Sequence, residues 1–323
     1  LAPNFFIKEK LKMVERLSFN DFVKTIADKL SAKLGGDYIV SVNTVNKNNG
    51  LKLKGICIRQ ADSNTAPVIY LNDYYRDYVN GRALDDVIAG ILTVYRGSDK
   101  NVTILDEFNR DKIKDKVILR LINHEMNQQM LHNMPHKIVM DDLVVTFQIM
   151  VDYTTEGLRS AVISNELFQR IGTTVDDMYE IALENTMKLF PASIRDMNEI
   201  ILSMLNAGME DMEDCQELKD LNIPTGEEPR MYVLSNNTGI YGAATLLYPG
   251  VLKEFAEKAG HDLFILPSSL HEIILVLVIS NDYRVEDLKN MVSEVNQNNV
   301  PREDILSNNV YRFSRKENRI LQL

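Results

Sequence analysis

Leu263-Phe264-Ile265-Leu266-Pro267-Ser268-Ser269-Leu270-His271-Glu272-Ile273-Ile274-Leu275-Val276-Leu277-Val278-Ile279-Ser280 reads as two apolar runs broken by Pro267-Ser268-Ser269. The second run, Ile273 to Ile279, is seven consecutive apolar residues rich in Val and Ile. A membrane-spanning helix needs about 20 such residues. A short β-branched run suits instead a central strand covered on both faces. The expectation is a hairpin in the middle of a sheet, with helices shielding it from water.

Around this stretch the pattern is rhythmic. Met231 to Ser235 and Ile240 to Leu247 read as strands joined by an Asn-Asn-Thr-Gly turn, and Pro249 opens a helix that Gly260 closes. After the hairpin come a helix from Val285 to Val295 and a last pair of strands, Val310 to Phe313 and Arg319 to Leu321. The order is ββα-ββα-ββ. Upstream, Asn222 to Arg230 carries Pro224, Gly226 and Pro229 after the acidic stretch Glu210 to Asp220, and this composition shift marks a domain boundary.

Before that boundary, Ser18 and Asp21 form a helix cap, with Phe19, Phe22, Ile26 and Leu30 at helical spacing up to Gly35-Gly36. Tyr38 to Thr44 alternates as a strand. Asn48-Asn49-Gly50 tolerates the positive φ of a tight hairpin turn, and Leu51 to Ile58 returns. Pro67 to Asn72 reads as a third strand, Asp73 to Val79 as a helix, and Leu84 to Tyr95 as another. Val117 to Ile122, Val139 to Val151 and Arg159 to Ser164 are strand-like, with a helix over His124 to His132. Thr174 with Asp177, and Ser193 with Asp196, look like the caps of two further helices. The first is stopped by Pro191; the second carries Ile194, Met197, Ile200, Ile201 and Met204.

The fold class is therefore α+β: two lobes of mostly antiparallel sheet covered by helices. Residues 1–17 read as a leader segment, 18–222 as an N-terminal domain and 229–323 as a C-terminal domain.

The formal net charge of −10 is unevenly spread. Residues 1–60 hold 11 Lys and Arg against 5 Asp and Glu, while residues 174–230 hold 14 acids and 4 bases. An acidic body repels phosphate backbones, so nucleic acid is not an expected partner, nor is a membrane. A protein partner is the expected kind. Two cysteines, Cys57 and Cys215, make no disulfide framework, and a reducing cytoplasm is the expected setting.

Several pieces carry a resemblance. They are Lys47-Asn48-Asn49-Gly50-Leu51, Ile69-Tyr70-Leu71-Asn72, Leu121-Ile122-Asn123, Tyr179 to Thr186, Leu189-Phe190-Pro191 and Tyr241-Gly242-Ala243 through Tyr248. The most distinctive is Leu266-Pro267-Ser268-Ser269-Leu270-His271-Glu272. From about Ser18 onward the chain resembles an uncharacterised domain-of-unknown-function family common in anaerobic gut bacteria. Its middle and C-terminal order is also similar to a second uncharacterised family of the YtpQ kind. These resemblances imply the architecture, and bring no activity, ligand or site residue.

Ser268, Ser269, His271 and Glu272 form the best polar cluster, since a serine beside a histidine can be a nucleophile beside its base. Catalysis, however, needs groups that converge in space, whereas neighbours along a strand alternate faces. The plainer reading is a turn whose polar groups bond exposed main chain. His124, His132 and His136 are close in sequence, but position 128 is Gln where a zinc helix would place its second histidine. The acids Glu210, Asp211, Glu213, Asp214, Glu217 and Asp220 lack the order of a calcium loop. Asp141-Asp142 has no partner at catalytic spacing, and Asp176-Asp177 fits the first turn of a helix. Cys57 lies inside an apolar strand, and Met197, Met204 and Met212 suit core packing. No cofactor or metal is expected.

The leading expectation is a binding or regulatory module without catalytic activity. Alternatives are a hydrolase built on Ser268, Ser269, His271 and Glu272, and an acidic mimic of nucleic acid through residues 176–228.

Overall fold

A computed structural model of the protein describes residues 16–61, 67–97, 113–154, 157–209, 230–279 and 284–323, with the backbone alone at 205–209. The expected leader, residues 1–17, lies almost wholly outside them. The chain splits into two compact units, Leu1–Lys47 with Lys52–Asp106, and Asn48–Leu51 with Glu107–Leu323.

In the first unit, Ser18 caps the helix Phe19–Leu34 by accepting from the Asp21 N–H at 3.2 Å. Phe22, Ile26 and Leu30 are fully buried. Strands β1 (Tyr38–Asn46), β2 (Lys52–Gln60) and β3 (Val68–Tyr70) form an antiparallel sheet in that order. Helices Leu71–Val79 and Leu84–Gly97 complete the unit, and Phe22 packs 5.2 Å from the Tyr75 ring. The third strand is shorter than expected, because the helix already begins at Leu71. At the β1–β2 turn, Asn49 (φ 57°) and Gly50 (φ 68°) take the positive φ that Asn-Gly tolerates. Those turn residues belong to the second unit.

The second unit holds two sheets. In one, the long strand β6 (Leu143–Thr154) pairs with β4 (Val117–Asn123) on one side, and with β5 (His136–Met140) and β7 (Gly157–Val162) on the other. The single strand expected over Val139 to Val151 is thus two, turned at Asp141-Asp142. The other sheet has the order β13-β12-β10-β11-β9-β8, all antiparallel. Its strands are β8 (Ala192–Asp196), β9 (Met231–Asn236), β10 (Leu263–Leu266), β11 (Ile273–Leu277), β12 (Tyr311–Ser314) and β13 (Arg319–Gln322).

The apolar hairpin lies where its sequence placed it, at the centre of six strands. Leu263, Ile265, Ile273, Leu275 and Leu277 join the main core, with Leu252 and Ala256 of the helix Val251–Ala259. Phe264, Leu266 and Val276 face a second cluster with Leu288 and Val292 of the helix Val285–Asn298. Burial on both faces explains an unbroken apolar run. Each such side chain contributes roughly 1.5–3 kcal/mol when fully buried.

Four local expectations are corrected. Gly242–Leu247 is a 3-10 helix, not a strand, so the rhythm becomes β-α-ββ-α-ββ. A Cβ at Gly242 would lie 2.0 Å from Ser235 Oγ and 2.4 Å from the His271 carbonyl oxygen, so only glycine lets this segment approach β9 and the His271 turn so closely. Ser193 does not cap a helix. It lies in β8 and pairs with Ser235 of β9, and the helix Met197–Met209 starts only after Asp196, whose Oδ1 accepts from the Asn198 N–H.

The helix expected over His124 to His132 is a 3-10 turn, Glu125–Asn127, followed by one helical turn, Gln128–Leu131. The Asn123 side chain interrupts it by accepting from the Met126 N–H and drawing Asn127 onto its carbonyl. Finally, Ser164 ends no strand. It caps the unexpected helix Asn165–Ile171.

The composition shift at 222–229 lies outside the described residues. Since β8 precedes it and β9 follows it in one sheet, the units divide near residue 106 rather than there. On the helix Met197–Met209, Ile201, Leu202 and Met204 are exposed, so Met204 is not the core residue its spacing suggested. Among the described residues, no helix is long and apolar enough to cross a membrane.

Candidate functional site

Leaving β10, the chain runs antiparallel beside residues 304–306. The Leu306 N–H donates to the Ser268 carbonyl, the Leu270 N–H to the Asp304 carbonyl, and Ser269 bridges Ile305. Ser269 Oγ turns back to accept from the His271 N–H at 3.1 Å, and the His271 carbonyl accepts from Ser235 Oγ at 2.7 Å. Glu272 points to solvent.

The His271 ring has neighbours on both nitrogens. Nε2 is 3.4 Å from Asp304 Oδ1, while Nδ1 is 3.2 Å from the Gly239 carbonyl and 3.3 Å from the Tyr241 N–H. A neutral ring with its proton on Nε2 donates to Asp304 and accepts from Tyr241; an imidazolium donates to both oxygens. No hydroxyl of Ser268 or Ser269 bonds the ring. The four sequence candidates share a turn but do not converge on one reacting atom.

What does gather at His271 is a stack that the sequence reading missed. The Tyr241 ring lies 5.8 Å from it and nearly parallel, at 14°. On Tyr241 rests the Arg120 guanidinium, 4.3 Å from the ring centroid. Tyr241 holds φ at 51°, a left-handed conformation that costs a non-glycine residue about 1 kcal/mol or more. Arg120 comes from β4, where its Nε is buried without a hydrogen-bond partner among the described residues. Burial lowers its pKa, and Tyr241 and Asp304 offset this in part. The one signal for it was a charge inside the apolar run Val117-Ile118-Leu119-Arg120-Leu121-Ile122.

Two polar clasps hold this region. Asn48 donates to the Glu303 carbonyl at 2.7 Å, and Asn49 to the carbonyls of Arg302 and Ile305 at 2.8 and 2.6 Å. The β1–β2 turn thereby fixes the segment that carries Asp304. Behind it, buried Asp142 accepts from the hydroxyls of Ser307 and Tyr311. Burial, and the neighbouring carboxylates after it, push the Tyr311 phenol far above its ordinary value, so it keeps its proton and donates it to Asp142. Asn123 donates to the Leu306 carbonyl at 2.9 Å. Asp142, unassigned by sequence, is thus an internal tie between the β5–β6 turn and the start of β12.

Three of the five histidines meet at a cavity of about 530 Å³. His124, His132 and His136 line it with Met134, Phe168 and Val175 among others. His132 Nδ1 lies 2.6 Å from the Gln128 carbonyl and His136 Nδ1 3.1 Å from the Met134 carbonyl. Among the described residues, no group of three His, Cys, Asp or Glu is placed to hold a metal ion.

A second groove, about 570 Å³, is lined by Lys137, Met140, Tyr179, Leu247 and Tyr311 among others. Its Lys137 is tied to Asp176 at 2.7 Å, and that bond raises the lysine pKa. Elsewhere, Asp177 lies in a helix first turn capped by Thr174, and Cys57 is a free thiol contacted by Asn43 at 3.5 Å. The acids 210–220, Met212, Cys215 and most of the acidic half of 176–228 lie outside the described residues.

A family model described as a family of unknown function, DUF5688, matches residues 19–315. No curated protein and no solved structure matches the chain.

Proposed function

The chain belongs to the DUF5688 family of unknown function, and for a family defined without an activity we propose that this member is a binding or regulatory module with no chemistry of its own. One observation carries the reading: both ring nitrogens of His271 are engaged by fixed neighbours, Gly239 and Tyr241 on one side and Asp304 on the other. A general base must be free to reach the proton it removes. Here the imidazole links the 239–241 turn to the 302–305 segment. The polar groups of the distinctive Leu266 to Glu272 stretch are used the same way, in closing turns.

The alternative, a hydrolase on Ser268, Ser269, His271 and Glu272, draws support only from the His271–Asp304 pair, because among the described residues no nucleophile bonds the ring. The proposal extends to setting and partners. A reducing cytoplasm is supported by the free thiol of Cys57, and a partner other than nucleic acid or membrane by the net charge of −10. The finer kinship, with gut-bacterial proteins bearing Leu-Pro-Ser-Ser-x-His-Glu and with YtpQ-like proteins, rests on sequence resemblance alone.

The test is an ester-hydrolysis assay with p-nitrophenyl acetate and butyrate. It compares the full chain with His271→Gln and with the double variant Ser268→Ala, Ser269→Ala. The expected rate is that of buffer in all three. Turnover by the unaltered chain that either variant abolishes would end the proposal.

A further inference from the structure

The cavity lined by His124, His132 and His136 is not used by anything above, and its chemistry narrows what it can take. Main-chain carbonyl oxygens only accept hydrogen bonds, so the rings of His132 and His136, each set against such an oxygen through Nδ1, carry their proton there. In a neutral imidazole this leaves Nε2 as a lone-pair acceptor. For both rings, Nε2 has no partner among the described residues. The rest of the lining is Leu131, Met134, Pro135, Phe168 and Val175, with His124 and the amides of Gln128 and Asn165.

Among the described residues, no Asp, Glu, Lys or Arg lines this cavity. An ammonium or carboxylate head would therefore enter without a counter-charge, and the loss of hydration would go uncompensated. A neutral O–H or N–H donor avoids that cost and suits the lone pair that either ring offers. A volume of about 530 Å³ is that of a small-molecule site rather than of a packing defect.

We infer that this cavity binds a small, neutral, aromatic compound bearing an O–H or N–H donor, its ring against Phe168 and Met134 and its donor on His132 or His136. The inference rests on the reading of the chain as a binding module and gives that module its ligand class.

Four probes sharing one body decide it: 4-ethylphenol, 4-ethylanisole, 4-ethylbenzoate and 4-ethylbenzylammonium, titrated calorimetrically into the full chain at pH 8. The phenol is expected to bind at least tenfold more tightly than each of the other three, because only it is a neutral donor. The double variant His132→Phe, His136→Phe should bind phenol and anisole equally.

Should that variant fail to fold, the ring Cε1–Hε1 NMR signals of the unaltered chain answer the same question. On adding 4-ethylphenol, those of His132 and His136 should shift, and that of His261, tied to the Val278 carbonyl elsewhere, should not. The inference is overturned if anisole or a charged analogue binds as well as the phenol, if no probe binds, or if His132 and His136 stay unshifted. None of these results touches the ester assay, which alone decides whether the chain has chemistry of its own.

Discussion

Asn49 and Asn127 exchange two hydrogen bonds: the Asn49 main-chain N–H donates to Asn127 Oδ1, and Asn127 Nδ2 donates to Asn49 Oδ1, both at 2.8 Å. Both residues are almost fully buried, at 1% and 2% exposure. The exchange fixes the Asn49 side chain so that its Nδ2 reaches the carbonyls of Arg302 and Ile305. Asn127→Ala would strand a buried N–H, at a cost of about 1–3 kcal/mol. Urea unfolding should show that loss, with faster amide exchange at Leu306 and Leu270, whose N–H groups close the adjoining ladder. Unchanged stability would mean the pair is incidental.

Gly242 is required for space. Alanine there would drive its Cβ into Ser235 Oγ and the His271 carbonyl. Gly242→Ala should cost more than about 3 kcal/mol or prevent folding, as overpacked backbone contacts do. Gly36→Ala, with nothing within 4 Å of the added carbon, should change stability by under about 1 kcal/mol. Thermal melts of the two variants make the comparison.

Alkaline pH should weaken the second unit through its buried phenols. Burial raises the pKa of Tyr311 and of Tyr248 above the ordinary 10.0, and Asp142 adds to the shift at Tyr311. A raised folded-state pKa means that the native state keeps its proton while the unfolded chain gives it up. The contribution is therefore full below pH 10 and is lost as pH rises above it. Tyr311→Phe should cost about 1.5–3 kcal/mol at pH 8, where it removes a donor from buried Asp142. The gap to the unaltered chain should narrow by about 1.4 kcal/mol per pH unit above 10. Denaturant unfolding at pH 8, 10 and 11 measures it.

How far the sequence could be read depended on how local the cause was. Ile273 to Leu277 declared its central place because a strand buried on both faces must be apolar throughout. Ser18, Thr174 and Asn48-Asn49-Gly50 act on their own neighbours, and those caps and that turn were legible. Ser193 was not, because its hydroxyl spacing to Asp196 imitates a cap while the ladder to β9 decides its structure.

The stack on His271 was out of reach for the same reason. Arg120, Tyr241 and Asp304 come from three distant segments, and only pairing of strands brings them together. The three histidines were visible as a cluster. That they share one cavity depended on the helix Asn165–Ile171, which contributes Asn165 and Phe168 to its wall and was not anticipated.

The central claim is that His271 and Asp304 form a structural tie, and a double-mutant cycle tests it most directly. Equilibrium unfolding of the full chain would be compared for His271→Gln, Asp304→Asn and the pair together. The two groups sit 3.4 Å apart and partly exposed, so a coupling of about 0.5–1.5 kcal/mol is expected. Losses that add to within about 0.3 kcal/mol would show that the two side chains do not hold each other, and would contradict the account.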